Sequence, residues 1–294
     1  MERLDRVLEL GEHWLRRRLG ASPEPGFFAP HHAFRWEASA EGGWLVPVAE
    51  PRHFDLEDLV GVDDARERLV RNTEQFVRGL PSNHVLLHGE RGTGKSSAVR
   101  GLLSRFAGDG LRVVEVRKED LMHLPRILAA LRDAPFRFLL FCDDLSFDAG
   151  ERGHRELKAA LEGSFEGPTE NLRVIATSNR RHLLPEYESD ASAAHLDAKG
   201  DLHLGEVVEE KLALSDRFGL VIGFYGFDQN TYLAIVDAWA KRLGLTAPRE
   251  ELHAAALTWS VRRASRSGRT ARQFVDDFAG RRLLEAGKPT GQSL

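Results

Sequence analysis

The sequence has few of the features that mark secreted or membrane proteins. It contains one cysteine, Cys142, among 294 residues, so no internal disulfide can form, and its apolar neighbours indicate a small buried side chain. No apolar run approaches the roughly 20 residues that a membrane-spanning helix needs. The charged N-terminal segment lacks the apolar core of a secretory signal. The net charge of −4 argues against a surface that attracts nucleic acid or membrane as a whole. These absences predict a cytoplasmic protein with no membrane partner.

What the sequence does contain is an alternation of short apolar strands and helices. The strands are predicted at 84–89, 111–116, 137–142, 172–179 and 220–227. Strands that are apolar on both faces and separated by helices are typical of a parallel sheet covered on both sides. After residue 227 the apolar spacing changes, and it predicts three helices at 228–243, 249–263 and 270–286.

Residues 89–96, GERGTGKS, match the pattern GxxxxGK[ST] between a predicted strand and a predicted helix. The glycines allow the backbone N–H groups to surround phosphate oxygens, and the dipole of the following helix favours the same anion. Lys95 is expected to reach the β and γ phosphates, and the Ser96 hydroxyl to ligate Mg²⁺. A chance glycine-rich turn is the alternative. The predicted nucleotide contacts of this loop are Gly89, Glu90, Arg91, Gly92, Thr93, Gly94, Lys95, Ser96 and Ser97.

Two adjacent aspartates, Asp143 and Asp144, follow the apolar strand at 137–142. Two negative charges at the tip of a buried strand are costly unless a cation lies nearby, and doubly wound sheets bind ligands at the carboxyl ends of their strands. We therefore expect Asp143 to hold Mg²⁺ through water, and Asp144 to orient or deprotonate an attacking water. A helix N-cap at Asp144, without a catalytic role, is the alternative.

Together with ATSNRR, LSDRFGL and SGRTARQF, which follow in that order, these motifs resemble the AAA+ ATPases over residues 55–286. Segments such as LVGVDDAR, NTEQF and EEKLALSDRFGL make the chain similar to a mainly bacterial AAA+ family named domain of unknown function 815. The resemblance implies an α/β P-loop fold, with a five-stranded parallel sheet covered by helices on both faces and a small all-helical lid. It also implies binding of ATP or ADP with Mg²⁺, hydrolysis of ATP, and assembly into a homo-oligomer.

On this basis the chain divides into three parts and one insertion. The predicted parts are an N-terminal extension at 1–54, an AAA+ nucleotide-binding domain at 55–227 and a helical lid at 228–294. The extension is expected to contain an amphipathic helix at 4–19 and a β-hairpin at 34–48, and to serve as a docking element. The acidic segment at 180–212 is too long for an ordinary loop in a compact domain, and we interpret it as an insertion.

The resemblance also implies roles for individual side chains. Asn179 is expected to polarise the attacking water, unless it only forms a turn. Arg217 is expected to act in trans, as an arginine finger on nucleotide bound by a neighbouring subunit. A surface ion pair with the acidic segment is the alternative for Arg217. Arg272 is expected to contact nucleotide from the lid, with Arg269 as the second choice.

A further set of residues is expected to surround the adenine ring. Val60, Gly61 and Val62 match the segment that packs on adenine in the AAA+ proteins, and Tyr232 on the lid is expected to close over it. An aromatic residue on a helix face is otherwise typical of a core.

The chain departs from the AAA+ pattern at two places. Most members have glutamate where this sequence has Asp144, which retracts the carboxylate by roughly 1.3 to 1.5 Å, and catalytic groups tolerate misplacement of about 1 Å poorly. We therefore expect slow hydrolysis that depends on assembly. The second strand leads into RKEDLMHLP, which lacks the aromatic residue and the glycine of a peptide-threading loop, so threading is disfavoured.

Three functions remain open at this stage. The first is an ATP-driven switch or remodeller of a protein or nucleoprotein partner. The second is a nucleic-acid-associated loader or initiator-like ATPase, and the third is a nucleotide-binding scaffold with little turnover. The second function is motivated by a group of C-terminal arginines, Arg262, Arg263, Arg266, Arg269 and Arg272.

Overall fold

The computed structural model describes residues 23–24, 26–39, 42–146, 152–162, 170–179, 195–196, 202–203 and 214–285. The helix predicted at 4–19 lies outside these residues, as does most of the acidic segment at 180–212. Within the described part of the chain, no helix has the length and apolar character needed to cross a membrane.

The secondary structure alternates as the sequence predicts. The strands are β1 (Ala33–Ser39), β2 (Gly42–Pro47), β3 (Val85–Gly89), β4 (Leu111–Glu115), β5 (Arg137–Cys142), β6 (Leu172–Ser178), β7 (His195–Leu196), β8 (Leu202–His203) and β9 (Leu220–Phe224). The helices are α1 (Asp63–Val77), α2 (Lys95–Phe106), α3 (Leu124–Leu131), α4 (Arg152–Glu162), α5 (Gln229–Arg242), α6 (Arg249–Arg262) and α7 (Gly268–Glu285). Short 3₁₀ helices lie at Leu56–Asp58, Ala107–Asp109 and Lys118–His123.

The main sheet has seven strands in the order β2-β1-β4-β5-β6-β3-β9. Neighbouring strands are parallel except for the antiparallel pair β1–β2. The five predicted strands are parallel to one another, but the sheet has seven strands and is mixed, so the predicted strand number was wrong. The reason is that Ala33–Arg35 of β1 pairs in parallel with Val113–Glu115 of β4, so the N-terminal hairpin extends the sheet.

Helices cover both faces of this sheet, which confirms the predicted α/β architecture. Strand β5 shows the arrangement, since Phe138, Leu140 and Cys142 belong to one apolar cluster and Leu139 and Phe141 to another. Successive side chains of a strand point to opposite faces, so the two clusters lie on opposite sides of the sheet.

Helices α5 to α7 have an apolar cluster of their own, in which Tyr232, Phe274 and Phe278 are buried. The partly buried side chain of Phe227 packs against both this cluster and one cluster of the sheet. The division into domains stays a prediction.

The strands that matter for the site end at one edge of the sheet. Strand β6 pairs in parallel with both β3 and β5. Strand β3 ends at Gly89, β5 at Cys142 and β6 at Ser178. The segments that follow them therefore emerge side by side, and they contain the motifs that the sequence analysis selected.

Candidate nucleotide-binding site

The loop between β3 and α2 has a backbone that only glycine allows at several positions. Gly89 has a φ of 129°, and a Cβ atom there would lie 1.9 Å from the carbonyl oxygen of Phe224 on β9. Gly92 has a φ of 78°, and a Cβ atom there would lie 2.8 Å from Oγ of Ser267, just before α7. Left-handed backbone and close neighbours both exclude larger residues, so the loop is fixed between the sheet and the helical unit.

Lys95 lies at the centre of this loop and is 7% exposed. Its Nζ donates hydrogen bonds to the carbonyl oxygens of Gly89 and Glu90, both at 2.7 Å, and to Oδ1 of Asn179 at 3.3 Å. Burial lowers the pKa of Lys95, whereas the charges of Asp143 and Asp144 act in the opposite direction. The loop therefore places an ammonium group, partly removed from water, where an anion can meet it.

Asp143 is held by two hydroxyl groups. Its Oδ1 accepts hydrogen bonds from Oγ of Ser96 at 2.7 Å and from Oγ1 of Thr177 at 2.6 Å. Among the described residues, no group of three His, Cys, Asp or Glu side chains is placed to hold a metal ion. Mg²⁺ commonly binds one or two carboxylates together with substrate phosphates and water. Asp143 and Ser96 fit this pattern, in which a nucleotide completes the metal site.

Asp144 contacts the end of the next strand. Its Oδ1 accepts a hydrogen bond from Nδ2 of Asn179, and its Oδ2 lies 3.9 Å from Nη2 of Arg91. Asp144 has a φ of 53°, whereas an N-cap residue has extended backbone. The N-cap interpretation of Asp144 is therefore wrong.

Thr177 is a buried residue of this site that the sequence motifs did not predict. Its hydroxyl bonds to Asp143, as above, and also accepts a hydrogen bond from the backbone N–H of Asp144 at 2.8 Å. The sequence feature that could have indicated Thr177 is a polar residue near the end of an otherwise apolar strand, two positions before Asn179.

These residues face a cleft of about 760 Å³ between the sheet and the helical unit. Of the predicted site residues, the cleft brings together Val60, Arg91, Gly92, Thr93, Gly94, Lys95, Ser96, Ser97, Asp143, Asp144, Asn179, Arg269 and Arg272. Its described basic residues are Arg52, Arg91, Lys95, Arg100, Arg242, Arg269 and Arg272, against three acidic ones, Asp58, Asp143 and Asp144. A chain with a net charge of −4 thus concentrates positive charge at this cleft, which favours a polyanionic ligand.

Some predicted nucleotide contacts do not line the cleft. Gly89 and Glu90 contribute carbonyl oxygens to Lys95 instead. Val62 is buried in the core. Gly61 has a φ of 79°, and a Cβ atom there would lie 2.3 Å from Thr231 at the start of α5, so Gly61 allows close approach of that helix.

The expectation that Tyr232 closes over adenine is wrong. The side chain is fully buried among the helices of the α5–α7 unit, and its hydroxyl donates a hydrogen bond to the carbonyl oxygen of Ala256 at 3.3 Å. Tyr232 is a core residue.

The two candidate lid arginines reach the cleft differently. The backbone N–H of Arg269 donates to the carbonyl oxygen of Gly92 at 3.4 Å, which ties α7 to the glycine loop. The guanidinium of Arg272 lies 4.2 Å from the ring centre of Trp239 and donates to Asp276 at 2.9 Å. Trp239 also lines the cleft, and no feature of the sequence distinguished it from a core aromatic.

Arg217 does not line the cleft of its own chain. Its Nε donates a hydrogen bond to Oε1 of Glu162, the last residue of α4, at 2.6 Å. The alternative interpretation was an ion pair with the acidic segment at 180–212, and Glu162 lies outside that segment.

Comparison with known proteins agrees with this architecture. The family model described as "Protein of unknown function (DUF815)" matches residues 29–282, whereas no curated protein matches the chain significantly. Similar solved structures include RuvB of Thermotoga maritima, titled a Holliday junction branch migration motor, with 15% identity and a TM-score of 0.54 over 81% of this chain and 67% of that one.

Two single-substitution variants of the same RuvB are also similar, each with 16% identity, with TM-scores of 0.55 and 0.57 over 81% of this chain and 67% and 68% of theirs. At this identity the likeness establishes the fold alone, which is a RuvB-like AAA+ fold. The chain therefore has an AAA+ P-loop fold, and it belongs to the family described as protein of unknown function DUF815.

Proposed function

We propose that this protein is an ATPase that binds Mg-ATP in the cleft and hydrolyses it slowly, within a homo-oligomer, to switch or remodel a protein or nucleoprotein partner. One observation carries the proposal. At one edge of the sheet, the buried ammonium of Lys95 lies beside two polar pairs, Ser96 with Asp143 and Asp144 with Asn179.

Binding of the triphosphate is supported by the charge of the cleft. In our proposal the backbone of residues 91–94 and the ammonium of Lys95 hold the β and γ phosphates, and Arg272 or Arg269 contacts them from α7. Val60 and Trp239, which both line the cleft, are the candidates for contact with the base. A base–aromatic stack is worth about 1–3 kcal/mol in nucleic-acid complexes.

The hydrolytic step needs a positioned water and stabilisation of the charge on the transferred phosphoryl group. Bound Mg²⁺ would neutralise part of that charge, and the Ser96 hydroxyl and Asp143 are the groups that would hold it. Asp144 would accept the proton of the attacking water, and Asn179 would keep the Asp144 carboxylate and that water oriented. Lys95 would remain on the phosphates during the step.

Arg217 is the residue through which a neighbouring copy would contribute to hydrolysis. Its side chain pairs with Glu162 and is absent from the lining of its own cleft, so its contribution would reach the nucleotide of a neighbouring copy. Arginine fingers in other phosphoryl-transfer systems raise kcat by about 10³ to 10⁵. The isolated chain would then be slow for want of this group.

The test measures phosphate release from Mg-ATP over a range of protein concentrations. We expect the turnover per chain to rise with concentration and to be lost in both Lys95→Met and Arg217→Ala. A mixture of these two variants should regain activity, because one supplies an intact cleft and the other an intact finger. Arg282→Ala is the matched control, since Arg282 pairs with Glu251 at 2.6 Å and neither residue lines the cleft.

The outcomes separate the alternatives. Turnover that is the same in Arg217→Ala as in the wild type would refute the shared site. Tight binding of ATP without phosphate release at any protein concentration would instead favour the scaffold function with little turnover.

A nucleic-acid partner is the second candidate. Arg262, Arg263 and Arg266 are exposed at the connection between α6 and α7, and the structurally similar RuvB is titled a Holliday junction motor. Fluorescence anisotropy with labelled DNA would test this candidate. We expect affinity that falls steeply with salt, by about one unit of log–log slope per phosphate contact, and that weakens in Arg263→Ala. Absence of binding at low salt would eliminate it.

A further inference from the structure

We infer that Thr177 is a positioning residue that sets both aspartates of the site for catalysis through its one hydroxyl group. The inference rests on the proposed function and names a component of the same site. Thr177 also lines the cleft, and it would act through Asp143 and Asp144, which its hydroxyl group contacts.

The contacts of Thr177 span three consecutive residues. Its Oγ1 donates a hydrogen bond to Oδ1 of Asp143 at 2.6 Å and accepts one from the backbone N–H of Asp144 at 2.8 Å. Its carbonyl oxygen accepts a hydrogen bond from the backbone N–H of Leu145 at 2.7 Å. Thr177 is 1% exposed, so water does not replace these bonds readily.

The hydrogen bond from the backbone N–H of Asp144 to Thr177 involves a strained residue. Asp144 has a φ of 53°, in the left-handed region that few residues other than glycine adopt, although aspartate and asparagine are more tolerant than most. Such a conformation persists where the surroundings determine it. The hydrogen bonds to Thr177 and to Asn179 hold Asp144 in this conformation. Together they orient the Asp144 carboxylate.

Thr177 also couples the metal-holding group to the proton-accepting group. The same oxygen serves the side chain of Asp143 and the backbone of Asp144, so movement of one aspartate is transmitted to the other. Valine has the shape of threonine without the hydroxyl group, and it would leave the Asp144 N–H without this partner. The turn could then relax, and a displacement of about 1 Å is enough to lower a catalytic rate roughly 100-fold.

The test compares Thr177→Val with Thr177→Ser, which keeps the hydroxyl group, in the full-length chain. Thr73→Val is the matched control, because Thr73 is equally buried and its hydroxyl donates to the carbonyl oxygen of Leu69 at 2.9 Å, on the far helix α1. Two readouts are needed: kcat for ATP, and the affinity for a fluorescent ATP analogue with Mg²⁺ and with EDTA.

We expect Thr177→Val to keep the affinity measured in EDTA within about twofold, to lose most of the gain in affinity that Mg²⁺ provides, and to lower kcat roughly 100-fold. Thr177→Ser and Thr73→Val should stay within about threefold of the wild type. In an Asp144→Asn background, Thr177→Val should lower the residual kcat by less than about threefold, because residues that act as a unit are not additive.

Unchanged kcat and Mg²⁺ response in a folded Thr177→Val chain would overturn the inference, and so would Thr177→Ser behaving like Thr177→Val. If Thr177→Val does not fold, Thr177→Ala is judged by the same criteria. If the wild type binds nucleotide without hydrolysing it, the proposed ATPase fails, and the Mg²⁺-dependent affinity alone decides for or against Thr177.

Discussion

Replacement of Lys95 by methionine separates nucleotide binding from folding. Methionine keeps the length of the side chain and removes the charge. In the free protein the ammonium is buried and its pKa is lowered by desolvation, which means that the folded state disfavours the charged form. Methionine removes the free-energy cost of burying a charge, which stabilises the folded state. It also removes the hydrogen bonds to Gly89 and Glu90, which destabilises it. Because these effects oppose each other, we expect the free variant to unfold within a few degrees of the wild type.

The nucleotide-bound proteins should differ strongly. A hydrogen bond to a charged group is worth about 1.5–3 kcal/mol, so its loss lowers the affinity for ATP by roughly 10- to 150-fold. A ligand present at 100 times its Kd stabilises the folded state by about 2.7 kcal/mol, and the same concentration stabilises a variant with 100-fold weaker affinity by about 0.4 kcal/mol. At about 2–4 °C per kcal/mol, the wild type should gain roughly 5–10 °C and the variant about 1 °C.

Thermal unfolding with and without Mg-ATP measures these shifts. Lys241→Met is the matched control, because Lys241 is exposed on α5 and does not line the cleft, and it should show the full wild-type shift. An equal rise in Tm for Lys95→Met and the wild type would refute the assignment of Lys95 to the phosphates. No rise in any of the three proteins would refute nucleotide binding itself.

Three further predictions concern buried groups of the sheet and the glycine loop. Burial, with the charge of Arg173, lowers the pKa of His84 from 6.5 to about 4. The unfolded chain therefore takes up the proton first, and stability is lost as the pH falls from 6.5 towards 4. His84→Asn should remove about 2 kcal/mol of the loss between pH 7 and 5 in urea unfolding, and an unchanged pH dependence would contradict this. Cys142 is fully buried and burial raises its pKa to about 12, so iodoacetamide at pH 8 should react only on unfolding; rapid labelling of the native protein would contradict this. Gly89→Ala should cost about 3 kcal/mol or more because of backbone strain and overlap, whereas Gly108→Ala, with no atom within 4 Å of the new Cβ, should be nearly neutral in urea unfolding.

The central strands could be predicted because burial on both faces leaves a continuous apolar run, and the strand predicted at 137–142 has the same bounds in the structure. The position of the N-terminal hairpin could not. Alternating polarity at 34–48 indicates one buried face, but it carries no information about which strand edge receives the backbone hydrogen bonds. The pairing of β1 with β4 depends on tertiary packing between segments that are distant in the chain.

The apolar spacing of residues 119–133 predicts a single helix there, and the structure shows a local limit of the same kind. The first turns of the predicted helix form the 3₁₀ helix Lys118–His123, and α3 begins at Leu124. Pro125 lacks an N–H group and is favoured in the first turn of an α-helix. The apolar spacing extends across this boundary, whereas the series of backbone N–H donors is interrupted at Pro125.

In the site, the motif residues could be predicted because their spacing ties them to strand ends, as for Lys95 and Asp143. The aromatic residues of α5 could not be assigned in the same way. Tyr232 is buried in the helical core, whereas Trp239 on the same helix lines the cleft. Which face of a helix meets a neighbouring unit is decided by packing, and both residues have side chains that suit either environment.

The aspartate at position 144 and the left-handed backbone there are two parts of one arrangement. A glutamate would pay more to adopt a φ of 53°, because the short side chain that tolerates this region belongs to aspartate and asparagine. In this conformation the Asp144 carboxylate already meets Asn179, so the longer side chain of glutamate would extend beyond that partner. In the proposed site, the turn that Thr177 holds would therefore favour the shorter acid, and the shorter acid would leave more distance to bound phosphates. We expect the chain to compensate from outside its own cleft, through Arg217 of a neighbouring copy, which makes slow turnover in isolation a consequence of the turn at residues 143–145.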